Sequence, residues 1–319
     1  FITIYGKLIS NHPGLSLFEI QEVIFGKAGG KIMTAIYLFF FLTIAVFNTR
    51  DLGSFVNSFV LPTTPLNVIY VAFLAVCILA VKKGAAKMTQ YGALILVIYL
   101  VLVVVLTCLL LPKMRPQNFL PVFTVPLKNI LLSTNLMAML CYADVFVLLT
   151  MAKYIDKPKA AGKALRSGLL IGASAILILV ARDIAVMGGY TLYASSPTFN
   201  TIRLIDVGDI LTRLEIINAV FQITLLFFKI SIILYAVITG IGQLFNIKEN
   251  TVFALVIGAL TVLCSNFFFS SSSEHQLWFR AAAPYATLYH LILPLLMLIV
   301  SEFRYKTDKK DQTDMRHQQ

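Results

Sequence analysis

Four ionisable side chains sit inside long apolar runs. Asp144 closes the stretch Cys141-Tyr142-Ala143-Asp144, Arg182 and Asp183 are neighbours in a second run, and Lys229 lies near the middle of a third, FFKISIILY. A charge in hydrocarbon is costly and persists there by pairing, by water access or because a ligand needs it. Lys229 has three uses open to it: meeting a substrate carboxylate, occupying a cation site, or pairing with Asp144. Arg182 and Asp183 project about 100° apart on a helix, so each is expected to partner a different helix and hold the bundle. Ser231 and Tyr235 are four residues apart and share a helical face, with Lys229 about 160° from Ser231. One face of that helix can contact substrate while the other fixes it among its neighbours. Ordinary interhelical hydrogen bonding is the plainer use of the same hydroxyls.

No enzymatic constellation accompanies these residues. His12, His275, His290 and His317 are scattered, and the chain has no GxSxG, HExxH or P-loop pattern and no cofactor signature. Cys77, Cys108, Cys141 and Cys264 all fall inside apolar runs without metal-ligand spacing, and read as small buried hydrophobes. Ser270–Ser273 reads as a flexible turn.

The elements that position these charges are membrane spans. The chain is 59% hydrophobic and 13% charged, with a mean hydropathy of +0.85. A soluble domain carries about 25% charged residues. A bilayer core about 30 Å thick takes about 20 apolar residues per helix. Eight runs qualify, at about 32–49, 66–81, 89–111, 129–150, 168–188, 216–238, 252–269 and 284–303. An even number of crossings places both ends on one side. The segments on that side hold most of the Lys and Arg, among them Lys82, Lys83, Lys87, Lys153, Lys157 and Lys159. The positive-inside rule makes that side the cytoplasm. Topology and anionic lipid therefore account for the net charge of +11, and nucleic acid is not needed to explain it.

Outside the spans, 14–25 (GLSLFEIQEVIF) places Leu17, Ile20 and Ile24 at helical spacing, as in an amphipathic helix lying on the cytoplasmic surface. The outer loop at about 189–215 is polar, and its stretch Asp206–Glu215 reads as a helix. The tail 304–319 is polar and expected to be disordered. Phe1–Tyr5 reads as the end of an apolar segment already under way. The expected organisation is 1–31 as that end plus the amphipathic segment, 32–303 as the bundle, and 304–319 as the tail.

Several stretches, in this order and spacing, resemble the spore germination permease family, the B-type subunits of GerA-type germinant receptors. They are 13–31 (PGLSLFEIQEVIFGKAGGK), 49–69 (TRDLGSFVNSFVLPTTPLNVI), 117–123 (QNFLPVF), 156–165 (DKPKAAGKAL), 196–215 (SPTFNTIRLIDVGDILTRLE) and 228–236 (FKISIILYA). That family belongs to the amino acid–polyamine–organocation (APC) transporter superfamily. The resemblance implies an all-α polytopic bundle of two inverted five-helix repeats with a midplane site. Against the family's ten helices, this chain corresponds to the end of helix two and helices three to ten. The first helix of each repeat is broken in that superfamily, yet MLCYADVF, the centre of 129–150, has no Gly or Pro to favour a break.

The family's site is lined by helices one, three, six and eight. Carried over, it implies Phe41 and Ala45 on helix three, Tyr142, Ala143 and Asp144 on helix six, and Ser231 and Tyr235 on helix eight, with Lys229 beside them. The implied role is recognition of a small nutrient germinant, an amino acid above all, in the spore inner membrane with A-type and C-type partner subunits. Two other roles stay open: a proton- or sodium-coupled amino acid permease, and an ion-conducting or signal-transmitting subunit.

Overall fold

The computed structural model describes residues 1–121, 124–205, 213–247, 252–268, 274, 277–278 and 281–304. Most of the expected Asp206–Glu215 helix, the Ser270–Ser273 turn and all but the first residue of the 304–319 tail lie outside the described residues. Among the described residues the chain is helical with no strand.

The helices are α1 (Ile2–Asn11), α2 (Leu17–Phe59), α3 (Leu66–Lys83), α4 (Ala85–Leu110), α5 (Leu127–Met137), α6 (Ala161–Met187), α7 (Pro197–Arg203), α8 (Leu214–Phe245) and α9 (Phe253–Phe267). The last, α10, covers Ala283–Arg304. Seven helical segments are long and apolar enough to cross a membrane, while α9, the eighth expected span, is a shorter apolar helix. The chain is an all-α polytopic membrane bundle. On α4, Leu94, Val97, Val101 and Val104 are more than half exposed at spacings of three and four, giving a continuous apolar stripe for lipid.

α2 differs most from its expected form. The capping Ser16 donates its backbone N–H to Glu19 Oε2 at 2.7 Å, which opens the helix. Gly26, at φ 76 and ψ 173, then turns the chain before the long span begins; such a positive φ is costly for any residue with a Cβ. The short arm before Gly26 does not lie on the surface. Leu17, Phe18 and Ile20 are fully buried and Ile24 nearly so, all in the main core, so protein covers the apolar face that lipid was expected to cover. Beyond Gly26 the helix runs to Phe59 rather than ending near 49. The polar run that ends the hydropathy window is satisfied within the helix: Asn48 bonds the Ile44 carbonyl and Thr49 the Ala45 carbonyl, each at 2.8 Å. Arg50, expected in a loop, is buried and donates to the Ser265 carbonyl of α9 at 2.8 Å.

Contacts sort the ends of the helices into two groups. At one end Ser10 bonds the Pro158 carbonyl at 3.1 Å, His12 bonds Ser301 at 2.8 Å and Lys7 lies 3.6 Å from Glu302. At the other, Arg115 N–H and Asn118 both bond the Ala185 carbonyl, at 2.9 and 2.8 Å. α1 and α6 cross at the first end through Gly6 and Gly162. A Cβ on Gly6 would stand 2.6 Å from the Gly162 Cα, so the crossing requires bare backbone.

Candidate functional site

Two helices change type where they meet. After α5 the backbone winds as a π-helix over Ala138–Tyr142 and then as a 3₁₀-helix over Ala143–Tyr154. The segment with no Gly or Pro to favour a break therefore stays helical but alters its winding, and Asp144 stands just past the join. On α10, Leu288–Ile292 is also π-helical. There the Leu293 N–H reaches back to the Leu288 carbonyl, which leaves the Tyr289 carbonyl free, and Tyr37 Oη donates to it at 3.1 Å. Pro294 has no N–H for the His290 carbonyl four residues earlier. Tyr5 Oη donates to that carbonyl at 2.5 Å. Two buried tyrosines thus satisfy the backbone that the π-turn and the proline release.

Between these turns lies a three-residue ionic cluster. Asp144 Oδ2 is 2.7 Å from Lys229 Nζ on α8, and Asp144 Oδ1 is 3.1 Å from His290 Nε2 on α10. His290 is nearly sealed, at 1% exposure, whereas the side chains of Lys229 and Asp144 are 36% and 17% exposed. The cluster is therefore sealed on the histidine side and partly exposed on the lysine side. Nε2 faces the carboxylate and carries the proton it donates, while Nδ1 is buried with no hydrogen-bond partner among the described residues. Aromatic rings from four elements stack beside the cluster. Tyr37 and Phe146 lie 5.0 Å apart, Phe40 and Tyr289 4.1 Å, Tyr5 and Phe146 5.1 Å, and Phe40 meets His290 edge-on at 4.9 Å.

The residues singled out in the sequence divide among three places. Asp144 and Lys229 come together, with Ala143 fully buried and Tyr142 half-buried at the join between π and 3₁₀ winding. Phe41 belongs to the aromatic wall, 6.4 Å from Phe146, and Ala45 is fully buried one turn further along α2. Ser231 and Tyr235 lie apart. Ser231 is fully buried beside Cys77 of α3, and Tyr235 Oη is 3.2 Å from Tyr154 Oη. At 1.5 Å per residue, Tyr235 sits about 9 Å along α8 from Lys229. Arg182 and Asp183 bond each other, with Arg182 Nη2 2.8 Å from Asp183 Oδ1, while Asp183 also reaches a different helix, accepting from Thr198 of α7 at Oδ2 at 2.6 Å. The expected 100° divergence is overcome by the length of the arginine, which folds back on its neighbour. His290 was missed among four scattered histidines. An ionisable residue in an apolar run, four before a proline, is the signal that points to it.

A family model described as spore germination protein matches residues 1–273. The chain belongs to the spore germination permease family. Among curated relatives, all from Bacillus subtilis (strain 168), spore germination protein KB is 26% identical, over 96% of this chain and 84% of its own. Spore germination protein YndE is 25% identical over 96% of this chain and 84% of its own, and putative spore germination protein YfkT 24% over 92% and 81%. No solved structure matches the chain. Membership places the chain in a permease and receptor family rather than an enzyme family.

Proposed function

We propose that this protein is the B-type membrane subunit of a spore germinant receptor, recognising a small nutrient germinant, an amino acid, at the Asp144–Lys229–His290 cluster. Family membership and relatives that are themselves spore germination proteins support the receptor role. The observation that carries the site is the Asp144–Lys229 pair, charged, accessible and set where two helices change winding. A ligand with a carboxylate and an ammonium group replaces each half of that pair with an equivalent charge. Binding then biases the bundle only by its differential affinity for two arrangements, which makes the Asp144–Lys229 contact the natural element to be exchanged. Phe41, Tyr142 and Ala143 supply the apolar side of the site, and Ala45 backs it. In this reading the subunit sits in the spore inner membrane with its lysine-rich end in the cytoplasm, beside A-type and C-type subunits.

The test is germination of spores carrying Lys229→Gln or Asp144→Asn, with protein level measured in the same spores. The expected result is a shift of at least about tenfold in the germinant concentration for half-maximal response, equivalent to about 1.4 kcal/mol. Tyr235→Phe, placed away from the cluster, leaves that concentration unchanged. Unshifted dependence in both cluster variants at normal protein level refutes the site. Substrate-dependent uptake by the purified protein in proteoliposomes replaces sensing by transport.

A further inference from the structure

At the lysine-rich end, α3 and α4 meet with only Gly84 between them. Gly84 adopts φ 94, so α3 ends on Lys82 and Lys83 and α4 begins immediately, with Lys87 in its first turn. Between α3, α4 and α8 lies an open groove of about 450 Å³. Its walls are Val76, Leu79 and Ala80 on α3 and Met88 and Tyr91 on α4, and Phe227 and Phe228 form its floor. Lys83 and Lys87 stand at its mouth. Val76, Leu79 and Lys83 recur at three and four residues, so they share one face of α3, and Lys87 and Tyr91 share one face of α4. From Lys83 to Val76 the groove runs about 10 Å into the apolar layer.

We propose that this groove binds one anionic phospholipid, its phosphate held between Lys83 and Lys87 and its acyl chain laid along Val76, Leu79 and Phe228. Three features argue for that occupant. The groove opens sideways from transmembrane helices, so its surroundings are lipid. Its walls are apolar except at the mouth. The two cations at the mouth are exposed and have no hydrogen-bond or ion-pair partner among the described residues, so an anion there meets charges that are already solvated. A free phosphate fits the mouth but leaves the apolar length of the groove unused. The inference rests on the membrane bundle and is independent of the germinant reading.

The test is lipid retention by the full chain, purified in mild detergent and mixed with equal phosphatidylglycerol and phosphatidylcholine, read by native mass spectrometry. At about 1 kcal/mol per lysine, the wild type retains phosphatidylglycerol about thirtyfold over phosphatidylcholine. Lys83→Gln/Lys87→Gln abolishes the preference. Val76→Trp, at a lipid-exposed position, fills the groove and lowers retention of both lipids with the lysines intact. Lys113→Gln/Lys128→Gln, remote cations, changes nothing. Preference unchanged in the Lys83/Lys87 double variant overturns the proposal. So does displacement of the bound lipid by millimolar inorganic phosphate, which would mark a headgroup-only anion site.

Discussion

The acid of the ionic cluster has two partners of different character. Lys229 is a charge partner reached from outside, and His290 is a hydrogen-bond donor sealed behind aromatic rings. Removing Asp144 strips the lysine of its counter-charge and the histidine of its acceptor at once, whereas removing Lys229 leaves Asp144 with His290. Asp144→Ala is therefore the more destabilising single change, and Asp144→Ala/Lys229→Gln costs less than the sum of the singles. The coupling is about 0.5–3 kcal/mol, the range for residues in direct contact, measured by a double-mutant cycle on thermal unfolding in nanodiscs. Additive effects would show that the 2.7 Å contact carries no energy. Asp144 and Lys229 were legible in the sequence because a charge in an apolar run stands out against its neighbours. Their pairing was only one of three options, since distance between spans is not encoded in either span. His290 was illegible for a different reason. Single histidines are often partly buried in ordinary packing, so hydropathy alone does not set it apart.

At the scale of elements, the π-turn of α10 shows tertiary contacts completing what local sequence leaves open. Pro294 frees the His290 carbonyl, and Tyr5 of α1 supplies the missing donor. A buried carbonyl without a partner costs about 1–3 kcal/mol, so Tyr5→Phe is expected to destabilise by that amount. In a Pro294→Ala background, residue 294 regains an N–H that can close the ordinary turn, and the cost of Tyr5→Phe falls towards zero. Equal costs in the two backgrounds, measured by thermal melts, would show that the proline does not create the acceptor. Span positions were legible because some 20 apolar residues must cross hydrocarbon wherever they occur. The change of winding at 138–154 was not, since it lacks Gly or Pro and depends on helices packed around it. The length of α2 was missed for a related reason. Asn48, Thr49 and Arg50 are polar by composition, but two bond their own helix and the third bonds α9, so polarity there marks satisfied side chains rather than a helix end.

Over the whole molecule, the distribution of charge and the packing of the ends lead to the same division. The end that brings together residues 10–12, 158 and 301–302 also carries Lys7 and Lys157, and the Gly84 joint with Lys82, Lys83 and Lys87 belongs to it through the shared surroundings of Ala85, Ala86, Tyr154 and Lys157. The opposite end joins Arg115 and Asn118 to Ala185, and Lys113 to the Leu204 carbonyl. Lysines on short connections resist translocation, so the richer end is the one expected to stay in the cytoplasm. This arrangement is open to labelling. With the four native cysteines replaced by alanine, single cysteines at Lys83, Lys157 and Arg304 react with an impermeant maleimide only in inside-out vesicles. Cysteines at Gln117 and Tyr193 react only in right-side-out vesicles or intact cells. Lys83 and Lys157 reacting from opposite faces would contradict the packing of α4 against the segment after Tyr154. All sites reversed together would keep the bundle but invert it, which would place the anionic-lipid groove and its lysines in the outer leaflet.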